Sequence, residues 1–260
     1  MRRVSVTELV TWQECRRRWH YKFERRLLPK QLNPMMESGR AIAAGIEAGF
    51  ADHSLPDERV AKARRFLDAE YRWADEKFRA GAMRAVEAVP PWVWATTNAY
   101  SEQKIVVDYP TSGVQMVGKP DLLLMTQEQA IVIEFKSTGK KGREAESRLE
   151  LHELTGQQVL QYCVLVADNF KWLDRPLFRQ HILLTTSGEC YEGAQLPVTP
   201  LILDRVRKQM LASASEVGAG PITHHRGGLC MGCDYNLACS TYFNGGDDEA
   251  VLKEITSGGV

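Results

Sequence analysis

The sequence predicts an α/β fold of α+β character, with a central mixed sheet flanked by helices. Three observations predict it. Within residues 1–28, Val6, Leu9, Val10, Cys15, Trp19 and Phe23 recur near helical spacing. Residues 102–136 then change to β-rich runs, "KIVVDY", "VQMVGKPDLLLM" and "QAIVIEFKS", separated by the turn-forming "PTSG" and "TQEQ". Beyond them a helix, a strand and a second helix alternate before a cysteine-rich tail.

Each element has a local cause. Ser5 or Thr7 can cap the first helix, and Pro29 and Pro34 break it. "MESGRAIAAGIEAGFAD" reads as a second helix whose Ala and Gly content implies a closely packed neighbour. Residues 57–88 read as one long charged amphipathic helix, ended by "VPPWVW". The three β-rich runs predict a meander. "TGKKGREAESRLE" is polar and predicts a mobile loop. "LTGQQVLQYCVLVADNF" predicts a helix, "PLFRQHILLTT" a strand and "TPLILDRVRKQMLASASEV" a helix. One domain, 1–260, is expected. It divides into a mainly helical part at 1–100, a sheet-and-helix part at 101–217 and a cysteine-rich segment at 218–260.

The 260 residues carry 33 Lys plus Arg against 33 Asp plus Glu, so net charge selects no partner. No apolar run is long enough for a membrane helix, and the N-terminus lacks the apolar core of a secretory signal. A cytoplasmic setting is the expectation. There the six cysteines read as metal ligands or core thiols rather than disulfides.

The chemistry concentrates in "GKPDLLLMTQEQAIVIEFKS". Glu134 and Lys136 are two apart, so on a strand they share a face. A hairpin brings Asp121 beside Glu134. Two adjacent carboxylates repel unless a cation binds, and hard oxygen ligands favour Mg²⁺ or Mn²⁺. Such an ion polarises a phosphodiester and acidifies a water, while Lys136 can stabilise charge at the phosphate. The competing reading is a surface ion pair at a strand end. Against it stands the buried character of "AIVIEF", where charge is costly without a partner.

Pro120-Asp121 followed by Glu134-Phe135-Lys136 resembles the PD-(D/E)XK nuclease signature. "QQVLQY" supplies Gln158 and Tyr162 in the Gln-x-x-x-Tyr pattern of the RecB-type branch, and "GRAIAAGIE" is similar to that branch's N-terminal helix motif. The resemblance spans Cys15 to Cys239 and implies a restriction-endonuclease-like core. It implies a metal-dependent exonuclease acting on DNA ends, single-stranded or frayed. By resemblance Asp121 and Glu134 hold the ion, the Phe135 carbonyl assists and Lys136 is the catalytic lysine. Gln158 and Tyr162 contact DNA or position the lysine; without the resemblance they read as a helix surface beside a core. The branch commonly has a metal-binding histidine where this chain has Ala43, with Glu47 and Glu102 as substitutes to weigh.

The tail segment "LCMGCDYNLACSTYF" holds Cys230, Cys233 and Cys239, three thiols of a site that ordinarily wants four. The three-plus-one arrangement with Cys15 resembles the iron–sulfur RecB-type nucleases, AddB-type nuclease domains and CRISPR-associated RecB-like exonucleases. That resemblance implies a [4Fe–4S] cluster stapling the chain ends. It also implies partners such as a CRISPR adaptation integrase, a helicase or phage recombination proteins. Zinc or free thiols are the alternatives, and Cys163, in an apolar run, reads as a core thiol. "CRRRWHYKFERR" and the loop "GKKGR" are basic enough to meet phosphate, although Trp19 fits a core position as well. Two further functions stay open: a DNA-binding assembly subunit with a degenerate site, and an iron–sulfur redox regulator.

Overall fold

The computed structural model describes residues 1–30, 34–51, 54–139, 157–171, 176–223, 230 and 233–257. The chain opens on a strand rather than the expected helix. β1 (Arg2–Ser5) leads into α1 (Val6–Glu14) through Ser5, whose side chain accepts from the Glu8 N–H while Glu8 accepts from the Ser5 N–H. This reciprocal cap satisfies two helix-start donors and fixes where the strand ends. Cys15 is extended, ends α1 and caps α2 (Arg16–Trp19), which runs on as a π-helical turn through Glu24.

β2 (Leu28–Pro29) and α3 (Pro34–Phe50) follow. The long helix expected over 57–88 is two: α4 (Arg59–Glu70) and α5 (Glu76–Glu87). Asp75 is extended and accepts from the Phe78 N–H at 2.7 Å, so a cap restarts the helix inside a continuous amphipathic pattern. α3 is small-residued for the expected reason. A Cβ on Gly49 would lie 2.8 Å from the Trp94 ring and 3.0 Å from the Arg59 carbonyl oxygen. α6 (Pro91–Ala95) and β3 (Ala99–Ser101), neither predicted, complete the N-terminal part.

β4 (Ile105–Tyr109), β5 (Val114–Gly118), β6 (Leu122–Met125) and β7 (Ala130–Thr138) are not one meander. The run "VQMVGKPDLLLM" breaks at Pro120, which has no N–H for a ladder. β5 sits between β1 and β4 in a three-stranded sheet, parallel to β1 and antiparallel to β4. β6 joins a second sheet of order β10-β8-β7-β6-β3, with β9 also on β8; here β8 is Leu177–Leu184, β9 Cys190–Glu192 and β10 Leu196–Pro197. β6 and β7 are antiparallel, and β7 and β8 parallel. α7 (Gln157–Asn169) lies between β7 and β8 in sequence, as a parallel pair requires a crossover. α8 (Pro200–Glu216) follows β10, started by a Thr199 cap and Pro200.

Successive strand residues feed two cores. Leu123 and Val132 pack with α1, α7 and α8, whereas Leu122, Leu124 and Ile133 pack with α3, α5 and Trp94. The tail has elements of its own: α9 (Asn236–Phe243), α10 (Asp248–Ile255) and β11 (Thr256–Ser257). β11 pairs with β2, and Tyr21, Leu27, Tyr235, Ala238 and Leu252 form a third cluster. The N- and C-terminal segments are therefore clasped by protein contacts. Among the described residues no helix is long and apolar enough to cross a membrane.

Candidate active site

The break at Pro120 leaves Asp121 at the mouth of β6. Leu122 registers with Ile133, so the next step of the antiparallel pair sets Asp121 against Glu134. The Asp121 carboxylate accepts from the Phe135 N–H at 2.7 Å, and the Asp121 N–H points to Glu134 Oε1 at 3.4 Å. Lys136 Nζ lies 3.2 Å from Glu134 Oε2. Glu134 is only 1% exposed, which removes the surface-pair reading of Glu134 and Lys136. Asp121, Glu134, Phe135 and Lys136 are brought together.

The electrostatics follow from that burial. Loss of solvent, then the Glu134 charge, pushes the Asp121 carboxyl up to about 8. Burial also raises Glu134. Burial alone would lower Lys136, but the charges of Glu134 and Asp121 outweigh it and hold the ammonium protonated. Among the described residues one lysine faces the two carboxyl groups, a set short of positive charge. A bound divalent cation would supply it, and the donor set is one of hard oxygens.

Gln158 and Tyr162 stand beside this pair. Gln158 Nε2 donates to the Tyr162 hydroxyl at 3.0 Å. Tyr162 is buried; burial, then the Glu134 charge, raises its phenol. The helix-surface reading fails for Tyr162. Position 43 lies on α3 one turn beyond Gly39, where a Cβ would stand 3.5 Å from Ser137 Oγ on β7. Ala43 therefore belongs to the helix face that approaches the site strand. Glu102 sits nearby with a left-handed backbone (φ 51°), its N–H donating to the Asp121 carbonyl at 3.2 Å and its carboxylate paired with Lys119 at 2.8 Å. The charge of Glu47 also reaches Lys119. Among the described residues no set of three or more His, Cys, Asp or Glu closes around a metal position, either at the carboxylate pair or at the four cysteines.

Residues that sequence reasoning passed over lie on β8. Gln180 registers with Glu134 and His181 with Phe135, on whose ring it stacks at 5.6 Å. Gln180 Oε1 and His181 Nε2 are buried without a hydrogen-bond partner among the described residues. The signal was present: three polar side chains, Arg179, Gln180 and His181, interrupt the apolar run "LFRQHILL".

The basic N-terminal stretch is spent on structure. Trp19 is buried edge-on to Trp12, and its Nε1 donates to Glu8 at 3.2 Å. Arg17 bonds Asp248 at 2.7 Å and Arg25 bonds Glu249 at 2.6 Å. Of "GKKGR", residues 140–143 lie outside the described residues, as does His53. Cys163 is a core thiol, fully buried. Cys15 Sγ accepts from the Arg18 N–H at 3.5 Å, and Cys233 and Cys239 pack against the Tyr21–Tyr235 cluster. Burial pushes the Cys239 thiol up to about 11, and the charges of Cys233, Cys15 and Cys230 all reach it.

A carboxylate–lysine site on a mixed sheet with a helix crossing behind it is the arrangement that the PD-(D/E)XK signature implies. A family model of the PD-(D/E)XK nuclease superfamily matches residues 3–240, and the chain belongs to that superfamily. No curated protein matches the chain. Solved structures also resemble it, two of which serve as examples. SSO0001 is 13% identical, with 86% of this chain and 87% of that chain covered and a TM-score of 0.37. A presumptive exonuclease from Eubacterium rectale is 8% identical, with 87% and 86% covered and a TM-score of 0.48.

Proposed function

We propose that the protein is a divalent-metal-dependent deoxyribonuclease that hydrolyses phosphodiester bonds at DNA ends, acting as an exonuclease on single-stranded or frayed termini. The observation that carries this reading is the buried Asp121–Glu134 pair with Lys136 at 3.2 Å. Asp121, Glu134 and the Phe135 carbonyl would hold Mg²⁺ or Mn²⁺. When bound, the ion supplies Lewis-acid polarisation of the phosphate and a more acidic water. Lys136, kept protonated by its neighbours, lends positive charge to the phosphate as negative charge develops. Glu134 anchors the lysine, and the Phe135 N–H anchors Asp121. Gln158 donates to the Tyr162 hydroxyl, which also meets Thr7, and so fixes the ring beside the carboxylate pair. Ala43 offers no ligand, and water would complete the shell of an ion held by Asp121 and Glu134, since Mg²⁺ keeps several waters readily.

The second element of the reading is a [4Fe–4S] cluster on Cys15, Cys230, Cys233 and Cys239. Cys233 and Cys239 pack in the N–C clasp, and burial that raises both disfavours their thiolates until a soft metal binds. The cluster would stitch segments already joined by β2–β11.

The nuclease reading is tested with end-labelled linear and closed circular single strands in Mn²⁺. Cleavage of the linear strand alone, lost with chelator and in Lys136→Ala, is expected. An inactive parent that still binds DNA would favour the assembly-subunit reading, to which Ala43 also points.

A further inference from the structure

We propose that the cleft walled by α1, α7 and α8 is a second binding site, taking a nucleotide unit of single-stranded DNA and reading its base edge. The inference rests on the nuclease reading for its ligand class. The cavity holds about 700 Å³, within the range of small-ligand sites and ample for one nucleotide. Its polar wall is made of amides: Gln13, Gln157, Gln161 and Gln209, with Ser213. Its apolar wall includes Leu160, Ile202 and Val206. Arg205 is the one charged residue among the described lining. A smaller cavity of about 420 Å³ continues from Gln13 and Ser213 to Arg16.

The amides are ordered in one direction. Gln13 Nε2 donates to Ser213 Oγ at 3.0 Å, which turns Gln13 Oε1 toward Gln161. Gln161 Nε2 donates to that oxygen at 3.4 Å. The relay leaves Gln161 Oε1 as a buried acceptor with no partner among the described residues, on a side chain 3% exposed. Leaving such an oxygen unmet is destabilising. A donor from the cleft relieves it, and the exocyclic amines of adenine and cytosine are such donors. Glutamine amides match base edges, apolar walls accept a ring face, and arginine at the rim meets phosphate. α7 ties this cleft to the reaction. Gln157 and Gln161 line it, while Gln158 and Tyr162, one position further along the same helix, stand at the carboxylate pair.

The test measures binding of a fluorescent dA/dC single strand, and of an abasic strand of equal length, in chelator across a salt series. The parent should prefer the base-bearing strand severalfold. Gln161→Met should abolish that preference. Arg205→Ala, an exposed change that spares the fold, should weaken both strands and flatten the salt slope by about 0.7, the share of one phosphate contact. Equal binding of the two strands by the parent, or parent-like binding by both variants, overturns the proposal. Cleft-dependent binding without cleavage in Mn²⁺ would keep the proposal and sink the nuclease reading; cleavage with cleft-independent binding does the reverse.

Discussion

Glu134 is a carboxylate on a strand whose neighbours Val132 and Ile133 are fully buried, and burial of that kind needs a positive partner. Among the described residues Lys136 is the cation that serves both carboxyl groups, so the histidine missing at position 43 matters as much as the residues present. At position 43 an imidazole would meet the site strand from α3, one turn along from Gly39. Ala43→His should therefore lower the Mn²⁺ concentration for half-maximal cleavage about tenfold, the worth of roughly 1.4 kcal/mol of binding. Metal titrations of parent and variant check this. Unchanged dependence in a folded variant means that the ion does not lie under Ala43. Until that ligand is supplied, Mn²⁺ should outperform Mg²⁺, being bound more tightly and tolerating looser geometry.

Among the elements, α7 does most to position the site, because it carries Gln158 and Tyr162 against the end of β5. Gly118 is where they meet. A Cβ there would lie 2.7 Å from Leu165 Cδ1 and 2.9 Å from Tyr162 Cδ1. Gly118→Ala should destabilise the fold by about 1–3 kcal/mol through overpacking, and should slow cleavage by displacing Tyr162. Denaturant unfolding and initial rates test both halves. Parent-like values for both would show that α7 has room to shift. The sequence made α7, β7 and β8 legible because their apolar runs are long and their periods clear. It hid the division of the second β-rich run between two sheets, because strand propensity continues across Pro120 on both sides. It hid the α4–α5 break because the amphipathic pattern continues past Asp75, and only the cap interrupts it. The juxtaposition of Asp121, Glu134 and Lys136 was legible from spacing, and Gln180 could have been found as part of the polar break in "LFRQHILL"; Gln161 could not, since an isolated glutamine carries no pattern until packing closes around it.

Over the whole molecule, the chain ends are held by β2–β11, by the Arg17 and Arg25 ion pairs and by the Tyr235 hydroxyl, which donates to the Leu27 carbonyl at 2.6 Å. A metal at the four cysteines, as proposed, would add to this clasp. Anaerobically prepared protein should contain about four irons, as a four-thiolate cubane does, and Cys15→Ser should lose them as fully as Cys233→Ser. Zinc without iron would replace that assignment. The clasp also fixes an alkaline limit. Burial raises the phenols of Tyr21 and Tyr235, Tyr235 to about 12, and does the same for Tyr109 and Tyr162. An unfolded phenol releases its proton near about 10. Above that pH the unfolded chain binds fewer protons than the folded one, so stability falls as pH rises. Phenolate absorbance of these tyrosines should appear together with unfolding by circular dichroism. Independent titration near pH 10 in a folded protein would contradict their burial.

The central claim is that the Asp121–Glu134 pair makes this molecule a cation-dependent nuclease. Single-turnover cleavage of an end-labelled single strand across a Mn²⁺ series, comparing the parent with Glu134→Gln, tests it most directly. The account predicts saturable Mn²⁺-dependent cleavage by the parent. It predicts none by Glu134→Gln, which keeps the size of the side chain and removes its charge. Equal cleavage by the two proteins at every Mn²⁺ concentration would contradict it.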